Sequence, residues 1–317
     1  MSPLPIRSVN LFPSRSALGV VLGVDQVIAA ALRRDNNRWR VDWVEQAALS
    51  RPLNTGIPDA ETPARLAEAL GRVCRNAPRH TAVQVALPDP LMVSRTFSLE
   101  SRPPGKRMMD SLVRLRFSKD AGLAPEGYAY THQHLGREEH RHLVLASALD
   151  IRWRACLIQA FQQAGIWLGV LDAEWGHIHN GLPSLSPAVE GAESKRDGTL
   201  VYISPWSWSL IIQDAEARPR YVRSRWRDPA TESMEELAME VERTLRAYAQ
   251  QGAGAAVFRV SVLGGTAEAT ELSTALNARL REPCVTLDPL ADFLPPGEGG
   301  WPPWNRWPSV LLTALPR

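Results

Sequence analysis

Residues 17–32 read ALGVVLGVDQVIAAAL: two short β-prone runs, Ala17–Leu22 and Val27–Leu32, held apart by a turn signal at Gly23–Gln26. Trp39–Ala47 adds a third run, with Trp39, Val41 and Trp43 on one face and Val44 breaking the alternation. A helix follows. Thr62-Pro63 supplies a cap and a first-turn proline, and Leu66, Leu70, Val73 and Cys74 recur at helical spacing. Thr81–Leu87 is then a buried-type strand stopped by Pro88. The order is three strands, a helix, a strand.

That order restarts in the second half of the chain. Leu200–Ile203, Ser207–Gln213 and Arg220–Trp226 read as three strands. The helix Met234–Gln250 follows, with Met234, Leu237, Val241, Leu245 and Tyr248 on one stripe, then the strand Ala256–Leu263 and the turn Gly264-Gly265. Leu272, Ala275, Leu276 and Leu280 mark another helix, and Val285–Leu287 a short strand. The duplication predicts two similar α/β lobes with any ligand cleft between them.

Between Pro88 and the second half lie the strand Met92–Leu99, the breaker Arg102–Gly105, a short helix marked by Met109, Leu112, Val113 and Leu115, and a hairpin. The hairpin pairs Tyr128–Leu135 with His142–Leu149; from Asp150 the chain becomes a helix closed by Gly165. The expected organisation is a leader (1–16) and a first lobe (17–182) with a small subdomain inserted at about 88–142. A polar linker (183–197), a second lobe (198–294) and a Pro/Trp-rich segment packing back on the fold (295–317) complete it.

Composition narrows the function. The chain has 317 residues, an apolar share of 44% and a formal charge of +2, which suits a two-domain globular protein and argues against a nucleic-acid binder. Lysine occurs only at positions 106, 119 and 195. Cys74, Cys156 and Cys284 have no ligand spacing and read as small core residues. No apolar run reaches the ~18–20 residues of a membrane helix, and residues 1–11 lack a signal peptide's apolar core. A cytoplasmic protein whose membrane contact is indirect is expected.

Other constellations have plainer readings. Three His-x-His pairs (His132/His134, His140/His142, His177/His179) read as polar strand positions, and no metal is expected, although the first two could meet across the hairpin. Arg223, Arg225 and Arg227 share a strand face from which Arg218 and Arg220 fall out of phase; a solvated face is expected, with anionic lipid or an acidic partner as the alternative. Trp301, Trp304 and Trp307 dock a loop or meet a partner. No Ser-His-Asp order, nucleophile elbow or Walker loop appears.

Segment by segment, the chain resembles the actin-like superfamily, and in detail its type IV pilus assembly branch, the PilM-like family, related to MSHA-pilus assembly and type II secretion L proteins. Leu11–Arg15 with Ala17-Leu18-Gly19 is similar to the family's leader and first phosphate loop. Ala86-Leu87-Pro88 through Arg95-Thr96 resembles the strands entering its inserted subdomain. Ala164-Gly165 with Leu171-Asp172-Ala173, Met239–Leu245, Leu263–Thr266, Leu287–Leu290 and Leu311–Arg317 match further segments.

The resemblance implies an actin-like (RNase H-like) fold, and its motifs map a nucleotide-binding remnant onto Gly19, Val21, Gly23, Tyr202, Ser204, Glu240, Arg243, Gly264, Gly265 and Thr266. The family's first loop places a magnesium-holding acid where Val21 stands and often a lysine where Ile28 stands; its second places a carboxylate at Tyr202 and a glycine at Ser204. Pro205 removes an N–H, and Trp206 and Trp208 bring bulk. Mg²⁺ needs carboxylate, water and phosphate oxygens, so a filled site without ATP or Mg²⁺ and without catalytic residues is expected. A register shift recruiting Asp25 would leave no second glycine.

What the resemblance implies about function is a non-catalytic scaffold of a pilus or related secretion machine at the inner membrane. It would bind the N-terminal tail of a bitopic, PilN-like partner, with self-association left open. The partner groove is expected along Leu91, Val93, Arg95 and Phe97. Arg7–Pro13 is similar to the I-N-L-L-P peptide of that partner, and is taken as a variant leader. A working actin-like ATPase and a type II secretion scaffold lacking its membrane helix are the alternatives.

Overall fold

The computed structural model describes residues 16–35, 38–77, 81–101, 103, 105–138, 140–182, 198–250, 259–295 and 308–315. The leader, the linker, the start of the predicted strand at 256 and the three tail tryptophans lie outside them. In chain order come β1 (Ser16–Leu22), β2 (Gln26–Asp35), β3 (Arg38–Ala48), α1 (Thr62–Val73), β4 (Ala82–Leu87), β5 (Met92–Leu99), α2 (Lys106–Ala121), β6 (Tyr128–Glu138) and β7 (Arg141–Asp150). Then follow α3 (Ile151–Gln163), β8 (Trp167–Ala173), α4 (Glu174–Gly181), β9 (Gly198–Ile203), β10 (Ser207–Gln213), β11 (Pro219–Trp226) and α5 (Met234–Gln250). The last are β12 (Arg259–Leu263), α6 (Thr266–Asn277), β13 (Cys284–Thr286), β14 (Phe293–Leu294) and α7 (Pro308–Ala314).

The chain forms two compact units: 1–88, 152–189 and 289–317 make the first, 89–151 and 190–288 the second. The first is built on a six-stranded sheet in the order β14-β3-β2-β1-β4-β8. Its central strands are covered on both sides, so Val20, Val21, Val27 and Ile28 are all buried and the run shows no alternation. Helix α1 lies on β2 and β3 through Leu66, Leu70 and Val73, spaced four and three residues apart. Helix α7 packs on β1, β2, β4 and α4, and every one of its seven residues is buried. The predicted closure of α3 by Gly165 is present, with φ +67° and the Ile166 N–H donating to the Phe161 carbonyl at 3.0 Å.

The second unit holds a five-stranded sheet, β11-β10-β9-β12-β13, and a three-stranded one, β5-β7-β6, backed by α2. The segment expected as an insertion in the first lobe interrupts that unit's chain between β4 and α3, and its contacts group it with the second unit. Fully buried Asp89 accepts a hydrogen bond from Ser209 Oγ, Thr96 Oγ1 donates to the Pro219 carbonyl at 3.1 Å, and Arg220 pairs with Glu138 at 2.5 Å. Residues 289–294, read as the end of the second lobe, return instead to the first, where β14 pairs with β3.

The four apolar residues that mark α2 do not share one face. Met109, Val113 and Phe117 form its core stripe, spaced by four, while Leu115 is 63% exposed. Two residues beyond Val113 is 200° around the helix, so Leu115 points away from the sheet that Val113 meets.

Candidate functional site

The first phosphate-loop position lies in the first unit, at the β1–β2 turn. The Gly23 N–H donates to the Gln26 carbonyl at 2.7 Å, and the Val24 and Asp25 carbonyls accept from the Leu53 and Leu49 N–H groups at 2.6 and 2.8 Å. A phosphate cradle is made of N–H groups, and the Gly23 N–H is taken. Gly19 has a different task. A Cβ there would lie 2.5 Å from the Ala314 nitrogen, so the glycine lets the α7 backbone reach the sheet. Val21, two residues on, shares that face and is fully buried, as is Ile28 nearly so. Asp25 is exposed on the turn rather than on the strand.

The second position, in the second unit, is a closed turn. The Ser204 N–H donates to the Ser207 carbonyl at 2.8 Å, Ser204 Oγ to the same carbonyl at 3.0 Å, and the Ser207 N–H to Ser204 Oγ at 3.1 Å. Buried Arg227 seals it: its N–H donates to the Trp206 carbonyl at 2.8 Å, and its Nη1 to the Ser204 carbonyl at 3.2 Å and to Glu268 at 2.9 Å. Tyr202, Trp206 and Trp208 are all buried beside it.

Gly264 permits the contact of its turn with β9, since a Cβ there would fall 2.2 Å from Ile203 Cγ2 and 2.8 Å from the Ile203 carbonyl oxygen. Gly265 caps α6, Thr266 opens it exposed, and the dipole-favoured anion in its first turn is supplied by Glu268, which Arg227 neutralises. Gly19 and Gly264 thus each make a close packing contact, and the Ser204 turn is closed on itself.

Glu240 and Arg243 sit elsewhere in the second unit, on a groove of about 400 Å³ between α5 and β11 that also includes Tyr221, Arg223, Arg225 and Tyr248. Glu240 pairs with both Arg223, at 2.5 Å, and Arg225. The arginines of β11, expected on a solvated face, are ion-paired throughout: Arg218 with Asp214 and Glu216, Arg220 with Glu138 and Asp214, Arg227 with Glu268. Of the expected in-phase set, Arg223 and Arg225 meet Glu240 on α5 while Arg227 is buried against Glu268 of α6; Arg218 and Arg220 reach the hairpin and the β10–β11 turn. The pairings of Arg220, Arg223, Arg225 and Arg227 were hidden in the sequence because each reaches a carboxylate on another element.

The residues of the expected partner groove lie on β5 and the short turn before it. Leu91, Val93 and Phe97 are half-buried, the last two packed against the cluster under α2, and Arg95 is exposed with Nη1 on its neighbour's Ser94 carbonyl at 3.0 Å. Of the histidine pairs, His134 and His142 meet across the hairpin at 3.0 Å, His132 Nδ1 lies 3.4 Å from Asp110, and His177 is on helix α4, hydrogen-bonded to the Val85 carbonyl at 3.0 Å. Among the described residues no group of three metal-ligand side chains converges. Burial pushes the Cys74 thiol up to about 12 and the Cys156 thiol to about 11, so neither is poised as a nucleophile.

No protein-family model and no curated protein matches the sequence. Solved structures do. A PilM–PilN type IV pilus biogenesis complex superposes with a TM-score of 0.71 at 17% identity, covering 94% of this chain and 96% of that one. A protein of unknown function from Bacteroides thetaiotaomicron, described as having an actin-like ATPase fold, superposes at 0.55 with 10% identity, over 87% and 91% of the two chains. At such identities the likeness is one of fold, and the fold of this chain is actin-like.

Proposed function

We propose that the chain is a non-catalytic actin-like scaffold for assembly of a type IV pilus or a related secretion machine, and that it binds the cytoplasmic N-terminal tail of a bitopic, PilN-like membrane protein. The observation that carries the non-catalytic half is the pair Val21 and Tyr202. Both stand where the family resemblance places acids, both are buried, and the Gly23 and Ser204 N–H groups of the adjoining turns donate within the turns. The partner half rests on the likeness to the PilM–PilN complex. No helix among the described residues is long and apolar enough to cross a bilayer, which accords with a peripheral protein on the cytoplasmic side of the inner membrane. Nucleic acid is not an expected partner.

Thermal unfolding tests the reading. A ligand of the folded state alone adds about 2.7 kcal/mol at a hundredfold excess over its Kd. Millimolar ATP with Mg²⁺ is expected to leave the melting temperature unchanged, and a synthetic tail peptide of a PilN-like protein to raise it. A magnesium-dependent rise with ATP would sink the non-catalytic assignment; no response to the peptide would sink the partner assignment.

A further inference from the structure

The geometry points to a direct lipid-binding patch on helix α2: its outward pole fits the surface of an anionic bilayer. The inference goes beyond the proposed function, in which a partner's tail holds the protein at the membrane. One stripe of α2 is spent on the hairpin sheet, through Met109, Val113 and Phe117. The opposite side carries Met108 and Leu115, 57% and 63% exposed, two of the five large apolar side chains that stand out most from the described surface. They are seven residues apart, about 10.5 Å along one line of the helix.

The charge around them has one sign. At 100° per residue, Arg107, Arg114 and Lys119 flank the Met108–Leu115 line, with only Ser111 and Ser118 between. The helix has five basic and two acidic side chains, a surplus of three, where the whole chain carries +2. Lys119 lies almost on the line itself, about 20° round from Met108. The acids are set aside: Asp110 is turned to β6, where it meets His132, and Asp120 lies in the last turn. Glu126 stands on the short turn that follows the helix. Arg114 lies over the Tyr130 ring at 5.7 Å, which fixes that flank.

A bilayer is the occupant that matches this shape. The pole is convex and narrow, while a stable protein partner needs about 800 Å² from each side with pockets for its anchors. A headgroup layer accepts two inserted apolar side chains, lets the lysine stems snorkel, and supplies the anions that the flanks lack. Each basic residue near an anionic surface strengthens binding about fivefold.

Sedimentation of the full chain with vesicles tests the patch. Phosphatidylglycerol–phosphatidylethanolamine vesicles are expected to pull the protein down at low salt at least tenfold better than phosphatidylcholine vesicles, with steep loss above 0.3 M NaCl. Leu115→Glu should lower that binding at least tenfold with an unchanged melting temperature, and Arg107→Glu/Lys119→Glu should weaken it and flatten its salt dependence. Absence of binding to the anionic vesicles, or equal binding by Leu115→Glu, overturns the inference. So does a vesicle-independent dimer, seen by light scattering and abolished by Leu115→Glu, which would assign the patch to a second copy. Vesicle binding needs neither nucleotide nor tail peptide, so an ATP response would overturn the proposed function and leave this patch standing.

Discussion

Replacing Gly19 by alanine separates a phosphate-loop glycine from a packing glycine. In the folded chain the new methyl would lie 2.5, 2.7 and 2.9 Å from the nitrogen, Cα and Cβ of Ala314. Ordinary carbon contacts begin near 3.5 Å, so α7 must retreat by roughly 1 Å. It has nowhere easy to go, because all seven of its residues are buried and Gln84 Nε2 donates to the Leu315 carbonyl just beyond it at 2.7 Å. Overpacking of this kind costs about 1–3 kcal/mol, and a collision with backbone belongs at the upper end. Removing a strand glycine returns roughly 0.5–1 kcal/mol, leaving a net loss of about 2 kcal/mol. At roughly 2–4 °C per kcal/mol, the melting temperature of the apo protein should fall by about 4–8 °C. Adding Ala314→Gly relieves only the 2.9 Å contact and should recover less than half the loss. Gly71→Ala is the control: nothing lies within 4 Å of its Cβ position on α1, and it should stabilise the protein slightly. A Gly19→Ala protein that melts within 1 °C of the parent would refute the packing account and return the residue to the phosphate loop.

Three further outcomes are expected. Glu240→Gln leaves Arg223 and Arg225 without their shared carboxylate; both guanidiniums are substantially exposed, so urea unfolding should show a loss of only about 0.5–1 kcal/mol that shrinks in 1 M NaCl. All three cysteines are buried and their thiols are raised by burial, so a thiol reagent at pH 8 should label none in the native protein and three in denaturant; rapid native labelling of Cys74 would contradict the structure. The Thr62 hydroxyl, with Arg65, holds the Asp59 carboxyl below its usual range, so its contribution is present above the unfolded value near pH 4 and is lost as pH falls through the folded one. Asp59→Asn should therefore melt lower at pH 7 and show a shallower acid limb, and an identical pH profile would count against the Thr62–Arg65 contact.

How much of this was legible in the sequence follows from where each interaction is written. The β1–β2–β3 meander and its repeat in β9–β10–β11 were readable because apolar runs and turn residues are local signals. The allegiance of the inserted subdomain was not, since the bond that carries it joins Asp89 to Ser209, 120 positions apart. Helix α7 gave no amphipathic period because it is buried on every side, and only its return to the fold was expected. On α2, Leu115 was grouped with Met109 and Val113 because it is apolar and near them in sequence. Phe117, at the correct fourfold spacing, is the residue that completes the face.

The same logic ranks the positions of the nucleotide remnant by what they say about function. Gly19 and Gly264 match the fold's glycines, yet each is required by a neighbour within this chain: the Ala314 backbone against one, Ile203 against the other. A glycine fixed by packing would be kept whether or not a phosphate ever approached it, so its presence does not argue for a nucleotide. The carboxylate positions are under the opposite pressure. An acid at residue 21 or 202 would sit in a nearly solvent-free interior with a desolvation cost of several kcal/mol, and a bound cation is what would offset it. Valine and tyrosine there are stable without any ligand, and an acid is not. The identity of those two residues therefore carries the functional information that the glycines cannot, and Val21→Asp or Tyr202→Asp should unfold the chain rather than restore magnesium binding.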